Sequence, residues 1–111
     1  MYTQESANAL LPEVREHLRR LQEASAGLGG ISSAGNGGGP RASGWLEASK
    51  AAAEELSWFG EAGIIVRDVE QGMVDFPTVR EGREVYLCWR SDEASVQYWH
   101  GEEGFSGRQK L

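Results

Sequence analysis

The apolar positions of this chain change period once, near residue 63, and the change divides it into a helical part and a sheet part. Ala7, Leu11, Val14, Leu18, Leu21, Ser25 and Leu28 alternate spacings of four and three, which is one stripe of a helix, while Glu13, Glu16, Arg20 and Glu23 fall off it. Leu10 widens the stripe near its start. Thr3 stands where an N-cap belongs, and Glu5 sits in the first turn, where the helix dipole favours an acid. The pattern predicts helix one over residues 1–28. Pro12 lies inside it and removes the hydrogen bond to the Asn8 carbonyl, at ~3 kcal/mol for an interior position. A kink is expected there, or a short first helix with Pro12 opening the next. His17 falls on the polar side and is expected in solvent.

Residues 29–44 are mostly Gly, Ser, Ala, Asn and Pro, with too little apolar content to offset the entropy of ordering them. They read as a flexible loop. A Gly-rich run can also cradle phosphate, but no strand precedes this one and no Gly-Lys-Ser/Thr anchors it. Ser43 can cap helix two, expected over residues 45–62. There Trp45, Ser49, Ala52, Leu56 and Phe59 repeat the four-three spacing, Trp58 falls to its side, and Gly60 and Gly63 are stop signals.

Past Gly63 the period is two. Residues 64–69 read as a strand, Glu70-Gln71-Gly72 as a turn, and residues 73–76 as a second strand stopped by Pro77. Arg80-Glu81-Gly82 is the next turn. In residues 84–90, Val85, Leu87 and Trp89 share one face with Tyr86 and Cys88 on the other, as in a central strand. Residues 96–100 alternate likewise, residues 101–104 turn, and Phe105 leads into a short tail. The expected fold is α+β: an antiparallel helical hairpin packed on an antiparallel β-meander of three to four strands, with residues 63–111 as meander and tail. A chain of 111 residues fits a single domain.

Charge narrows the function more than length does. Eleven Lys and Arg against seventeen Asp and Glu give −6, and five basic against eight acidic residues up to Gly63, then six against nine, make each part −3. Lys and Arg on phosphates supply most non-specific nucleic-acid affinity, so an even negative balance disfavours a nucleic-acid accessory module. No apolar run approaches the ~18 residues of a membrane span, no signal peptide is visible, and Cys88 is alone. A cytoplasmic protein is expected.

The chemistry-bearing residues gather in 75–108. Asp75, Glu93, His100 and Arg108 are its candidate ligand-binding groups, and a meander can bring all four to one side of the sheet. A histidine with two carboxylates is a conceivable metal or acid-base set. The spacing matches no zinc or calcium signature, however, so no metal or cofactor is assigned, and Asp75, Glu93 and His100 are only weak metal candidates. The structural alternative is that Asp75 accepts from turn N–H groups, Glu93 pairs with Arg90 or Arg108, and His100 is hydrogen-bonded at a strand end. Cys88 reads as a small buried hydrophobe, since no basic group lies near it in sequence to lower its pKa. Trp89, Trp99, Tyr86, Tyr98 and Phe105 can stack a ring, but in a small sheet they read first as core.

In this order the chain resembles the DUF2203 family, small bacterial proteins of a domain of unknown function. The resemblance is carried by Thr3, Ala7-Asn8, Leu10-Leu11-Pro12, Gly63-Ile64, Gly72, Val74-Asp75-Phe76-Pro77 and Gly82. It continues through Leu87-Cys88-Trp89, Glu93, Trp99-His100, Gly104-Phe105 and Gly107-Arg108-Gln109. Asp92 stands where the family usually has Gly before the Glu, and Lys110 where it usually has Pro. The resemblance implies a one-domain cytoplasmic protein with an N-terminal helical region, and it supplies no reaction. The favoured reading is a non-enzymatic binding or interaction protein, a homodimer through its helices, because Leu10, Trp45 and Trp58 broaden the apolar surface beyond one seam. The rival is an enzyme or small-ligand or metal-binding protein using Asp75, Glu93, His100 and Arg108.

Overall fold

The computed structural model describes residues 1–34, 40–104 and 107–111, the side chains of 29–34 and 40–43 excepted. Helices α1 (Gln4–Ala34) and α2 (Pro40–Ala62) form a hairpin, followed by strands β1 (Ile65–Asp68), β2 (Met73–Arg80), β3 (Arg83–Arg90), β4 (Tyr98–His100) and β5 (Gln109–Lys110). The strands make one antiparallel sheet in sequence order. The fold is α+β, as the change of period predicts. The fifth strand exceeds the three or four expected: β5 pairs with β4, and the Leu111 N–H donates to the Gln97 carbonyl at 2.7 Å.

Local chemistry sets the element ends. The Thr3 hydroxyl accepts from the Ser6 N–H at 3.0 Å while the Thr3 N–H donates to the Ser6 hydroxyl at 2.9 Å, a reciprocal cap that answers two orphan donors of α1. At the end of α2, Ile64 N–H donates to Phe59 O at 3.0 Å and Gly63 N–H to Gly60 O at 3.2 Å, with Gly63 at φ 73°. That is the six-to-one and five-to-two closure in which the left-handed residue is glycine, and Ile64 and Phe59 both enter the core beside it. Glu81 and Gly82, both at positive φ, make the two-residue turn between β2 and β3.

The sequence expectations need five corrections. Of the two alternatives at Pro12, the short first helix with Pro12 opening the next is overturned, because α1 runs on through it. Buried Ala7 and Leu11 on one side and Val14, Leu18 and Leu21 on the other belong to one core cluster, so both halves are held against the sheet. Next, Pro77 does not stop β2, and it pairs with Tyr86 in the β2–β3 register. β1 pairs with β2 only as far as Asp75, so at Pro77 that flank is an open edge, where the Tyr2 N–H donates to the Pro77 carbonyl at 3.0 Å. A proline that faces such an edge forfeits no ladder bond.

The other three corrections concern the helices. Helical backbone continues from residue 29 to Ala34 and resumes at Pro40, inside the expected loop of 29–44; of that loop, residues 35–39 lie outside the described residues, as does Phe105. Extending a formed helix adds one bond per residue fixed, and the Ala and Ser residues among the glycines soften the propensity loss. Proline in first place on α2 gives up an N–H that has no partner there anyway. Finally, α2 does not bury the face read from its spacing. Phe59 is buried and Ala52 partly so, but Trp45 is 43% and Leu56 48% exposed. The packed face is rotated toward Ala48, Ala52, Glu55, Phe59 and Ala62, and His17 turns into the seam rather than to solvent. Its Nδ1 lies 2.6 Å from Glu55 Oε2 and its ring stacks on Trp58 at 4.0 Å.

Alternation sorts the sheet into two faces. Val74, Phe76, Val85, Leu87, Trp89 and Trp99 face the helices, and the first five are buried. Polar residues beside the α1 stripe tie that helix to the loops at the sheet ends. Asn8 accepts from Val96 N–H at 2.6 Å, Gln4 donates to Val96 O at 3.0 Å, Arg15 donates to Glu93 O at 2.9 Å, and Gln22 donates to Val69 O at 3.0 Å. The molecule is 55 Å long and 24 Å in its other dimensions, because the hairpin runs on past the sheet, where Gly27 lies against Ala48.

Candidate functional site

The sheet face turned away from the helices carries Asp75 on β2, Tyr86 and Cys88 on β3, and Tyr98 and His100 on β4. Asp75 stands directly opposite Cys88, Cys88 opposite Tyr98, and Tyr86 opposite His100. An outer sheet face normally meets water, yet Asp75 is 1% and His100 3% exposed. Burial of a charged group is tolerated only when it is paired and hydrogen-bonded, and both conditions are met here. His100 Nε2 lies 3.0 Å from Asp75 Oδ1 and 2.9 Å from Oδ2, and Arg67 Nε donates to Oδ2 at 2.6 Å. Arg67 is the residue inserted at the irregularity between Val66 and Asp68 in β1, and its guanidinium stacks over Tyr86 at 5.1 Å.

The other imidazole nitrogen fixes the ring. His100 Nδ1 lies 2.8 Å from the Gly101 carbonyl, which only accepts, so Nδ1 carries hydrogen and donates. Nε2 is left facing the Asp75 carboxylate. Asp75 holds the neighbouring Arg67 guanidinium protonated beyond its usual range, chiefly through their hydrogen bond. Cys88 completes the cluster: a ligand atom from each of Asp75, Cys88 and His100 lies within 4.8 Å of the other two, and all three residues are buried. Burial first, then the Asp75 carboxylate, push the Cys88 thiol up to about 12, so it is a neutral thiol at ordinary pH.

Glu93 and Arg108 belong to a second arrangement. Arg108 donates to both Glu93 oxygens at 2.8 Å and to the Cys88 carbonyl at 3.3 Å, and its guanidinium stacks over Tyr98 at 4.0 Å. Burial draws the Arg108 pKa down, but its hydrogen bonds to Glu93 together with the further interactions with Cys88 and the Glu93 charge outweigh it and leave it raised. Glu93 also accepts from Arg90 N–H at 2.8 Å, and its own carbonyl receives the Trp89 indole N–H at 3.0 Å. Asp92 therefore stands in a well-tied turn, with Arg90 Nε 2.7 Å from its carboxylate. The four candidate residues thus fall into two pairs on one face, Asp75 with His100 and Glu93 with Arg108. The second pair docks the C-terminal segment onto β3.

A cavity of about 350 Å³ opens over the first pair, lined by Arg67, Asp75, Tyr86, Cys88, His100 and Glu102 among others. A larger cleft of about 530 Å³ lies between the β2–β3 turn and the turn after β4. Its charged residues, Arg80, Arg83, Glu81, Glu84, Glu102 and Glu103, are exposed and of both signs. Solvated charges of mixed sign select little, so the smaller cavity, floored by buried polar groups, is the better site despite its size. Sequence reading named Asp75 and His100 but missed Arg67 and undervalued Cys88. The partner of Asp75 across the ladder becomes visible only once the strand register is known.

No helix is long and apolar enough to cross a membrane among the described residues. No curated protein and no solved structure matches the chain. The sequence model of DUF2203, described as an uncharacterized conserved protein, matches residues 1–111, and over that whole length the chain belongs to the DUF2203 family.

Proposed function

We propose that this chain is a small cytoplasmic binding protein without catalytic activity of its own, and that the cavity over Asp75 and His100 is its ligand site. The observation that carries this reading is the buried Asp75–His100 pair with Arg67 at the floor of a cavity on a face where no core requires it. Acid-base catalysis is disfavoured by the same geometry, because both imidazole nitrogens already face acceptors within the protein. Thiol catalysis is disfavoured by the protonated state of Cys88. A thermal-shift panel of zinc chloride, inorganic phosphate and ATP tests the reading. A ligand at a hundred times its Kd stabilises the fold by about 2.7 kcal/mol. Stabilisation by one class, lost in His100→Ala, supports the site, whereas equal shifts in both proteins contradict it.

The same reading includes self-association. Trp45, Leu46 and Leu56 of α2 are exposed, and Leu46 is 61% so. They lie on the exposed side of α2, and a second hairpin laid across a two-fold axis covers them as a four-helix layer. Sedimentation at micromolar concentration should give twice the chain mass, and Trp45→Glu should return it to one. A wild-type monomer at every concentration contradicts the dimer and leaves the ligand site untouched.

A further inference from the structure

We propose that Asp75 Oδ1, Cys88 Sγ and His100 Nε2 form a binding site for one divalent transition-metal ion of the zinc class, with the cavity above them supplying the open coordination position. The inference rests on the ligand-site reading above and names the ligand.

Distance is the first support. Bonds of about 2.0–2.3 Å at tetrahedral angles place the ligand atoms about 3.3–3.6 Å apart. A carboxylate oxygen of Asp75, Cys88 Sγ and a ring nitrogen of His100 already lie within 4.8 Å of one another, and Nε2 stands 3.0 Å from Oδ1, so a cation needs only small side-chain adjustments. Rigidity is the second. The residues come from three adjacent strands, with Asp75 and Cys88 paired in register, rather than from loops that must first be ordered.

The groups around the ligands are posed for the same purpose. A metal-bound histidine commonly donates its other N–H to a carbonyl or carboxylate, and His100 Nδ1 does so to Gly101 O at 2.8 Å, which leaves Nε2 aimed at the cluster. Arg67 holds the other oxygen of Asp75 at 2.6 Å and so orients Oδ1. The donor set selects the metal class. One thiolate, one imidazole and one carboxylate suit zinc and its neighbours, whereas calcium and magnesium take oxygen ligands. Three protein ligands with an open position are the arrangement of a zinc site that also accepts a water or small ligand.

Charge balances without a new partner. When the cation enters, the Cys88 S–H bond breaks, its proton leaves to solvent, and the Cys88 sulfur, the Asp75 oxygen and the His100 nitrogen each form one bond to the metal. The Cys88 thiolate and the Asp75 carboxylate then supply the two negative charges that match a divalent ion. The Nδ1–H of His100 stays in place.

The test is a cobalt(II) chloride titration of the full chain, treated beforehand with chelator, read by absorbance. Cys88 is the only cysteine, so a near-ultraviolet thiolate-to-cobalt band reports this site without any variant. The expected result is saturation at one equivalent with that band and a tetrahedral visible spectrum, and bleaching on addition of zinc. Cys88→Ser should lose the band and bind at least tenfold more weakly, while Arg80→Gln in the neighbouring cleft should bind normally. No saturable binding, or an octahedral spectrum without the thiolate band, overturns the metal site. If cobalt fails but phosphate or ATP stabilises the wild type and not His100→Ala, the metal inference falls and the cavity remains a ligand site. If none of the three ligands acts through His100, both fall.

Discussion

His100 meets Asp75 across an intervening strand: they sit on β4 and β2, either side of β3, and their side chains join at 2.9 Å above Cys88. A contact of this kind depends on two strand registers at once. It ties the short β4 to the middle of the sheet and places the polar cluster where the residues between them in sequence give no hint of it.

Trp89 anchors the opposite face. It is fully buried and its indole N–H donates to the Glu93 carbonyl at 3.0 Å. Trp89→Ala should cost about 3–5 kcal/mol in urea denaturation. Trp89→Phe keeps most of the packing and loses the hydrogen bond, so it should cost clearly less. A near-normal midpoint for the alanine variant would show that β3 is peripheral.

Asn8 clamps the loop before β4, accepting from Val96 N–H at 2.6 Å, and Val96 itself is buried. Asn8→Ala leaves that N–H without its partner, at a cost of about 1–3 kcal/mol. Amide exchange at Val96 should accelerate more than exchange in β2. Uniform acceleration, or none, would count against a clamp.

Two glycines should respond in opposite directions. Gly72 has φ 68°, and a Cβ there would lie 2.4 Å from Ser91 Oγ and 2.8 Å from its Cβ, so Gly72→Ala should destabilise by more than about 1 kcal/mol. Gly27 sits within α1, and its added Cβ would meet Ala48 Cβ at an ordinary 3.5 Å. Gly27→Ala should therefore stabilise by about 0.5–1 kcal/mol. Thermal unfolding of the two variants checks the pair, and a shared sign contradicts the account of the hairpin seam or of the turn.

The Cys88 thiol gives a pH prediction. With its pKa pushed up to about 12, its thiolate fraction at pH 8 is ~10⁻⁴, against roughly 0.2 for an unperturbed cysteine. In chelator-treated native protein, iodoacetamide should label it on the order of a thousandfold slower than in urea. Because the group loses its proton only near pH 12, the native rate should still be climbing with pH at pH 10. A plateau by pH 9 contradicts the burial argument.

How much was legible in the sequence depended on range. The inward face of β3 followed from alternation alone, because Val85, Leu87 and Trp89 are separated by a period that local geometry enforces. The Gly63 stop of α2 was legible for the same reason. The packed face of α2 was not. Its small residues Ala48, Ala52 and Ala62 carry little hydrophobic signal beside Trp45 and Leu56, and Glu55 is drawn in by His17, a partner 38 residues away. Pro77 misled because the rule against proline holds for a strand paired on both sides, and β2 is paired on one side there. Asp75 and His100 stood out by residue type. Their pairing with each other rather than with Glu93 needed the register, and so did the place of Cys88 between them.

The central claim is that the Asp75–Cys88–His100 floor of the cavity binds a divalent ion of the zinc class, and imidazole nitrogen NMR of the labelled protein tests it most directly. The chain has two histidines, and His17→Gln assigns the spectrum by removing one. On addition of one equivalent of zinc chloride, the account predicts that His100 Nε2 shifts to a metal-bound position, that Nδ1 keeps its hydrogen on the Gly101 carbonyl, and that His17 does not move. An unchanged His100 ring at saturating zinc, or a change confined to His17, would contradict it.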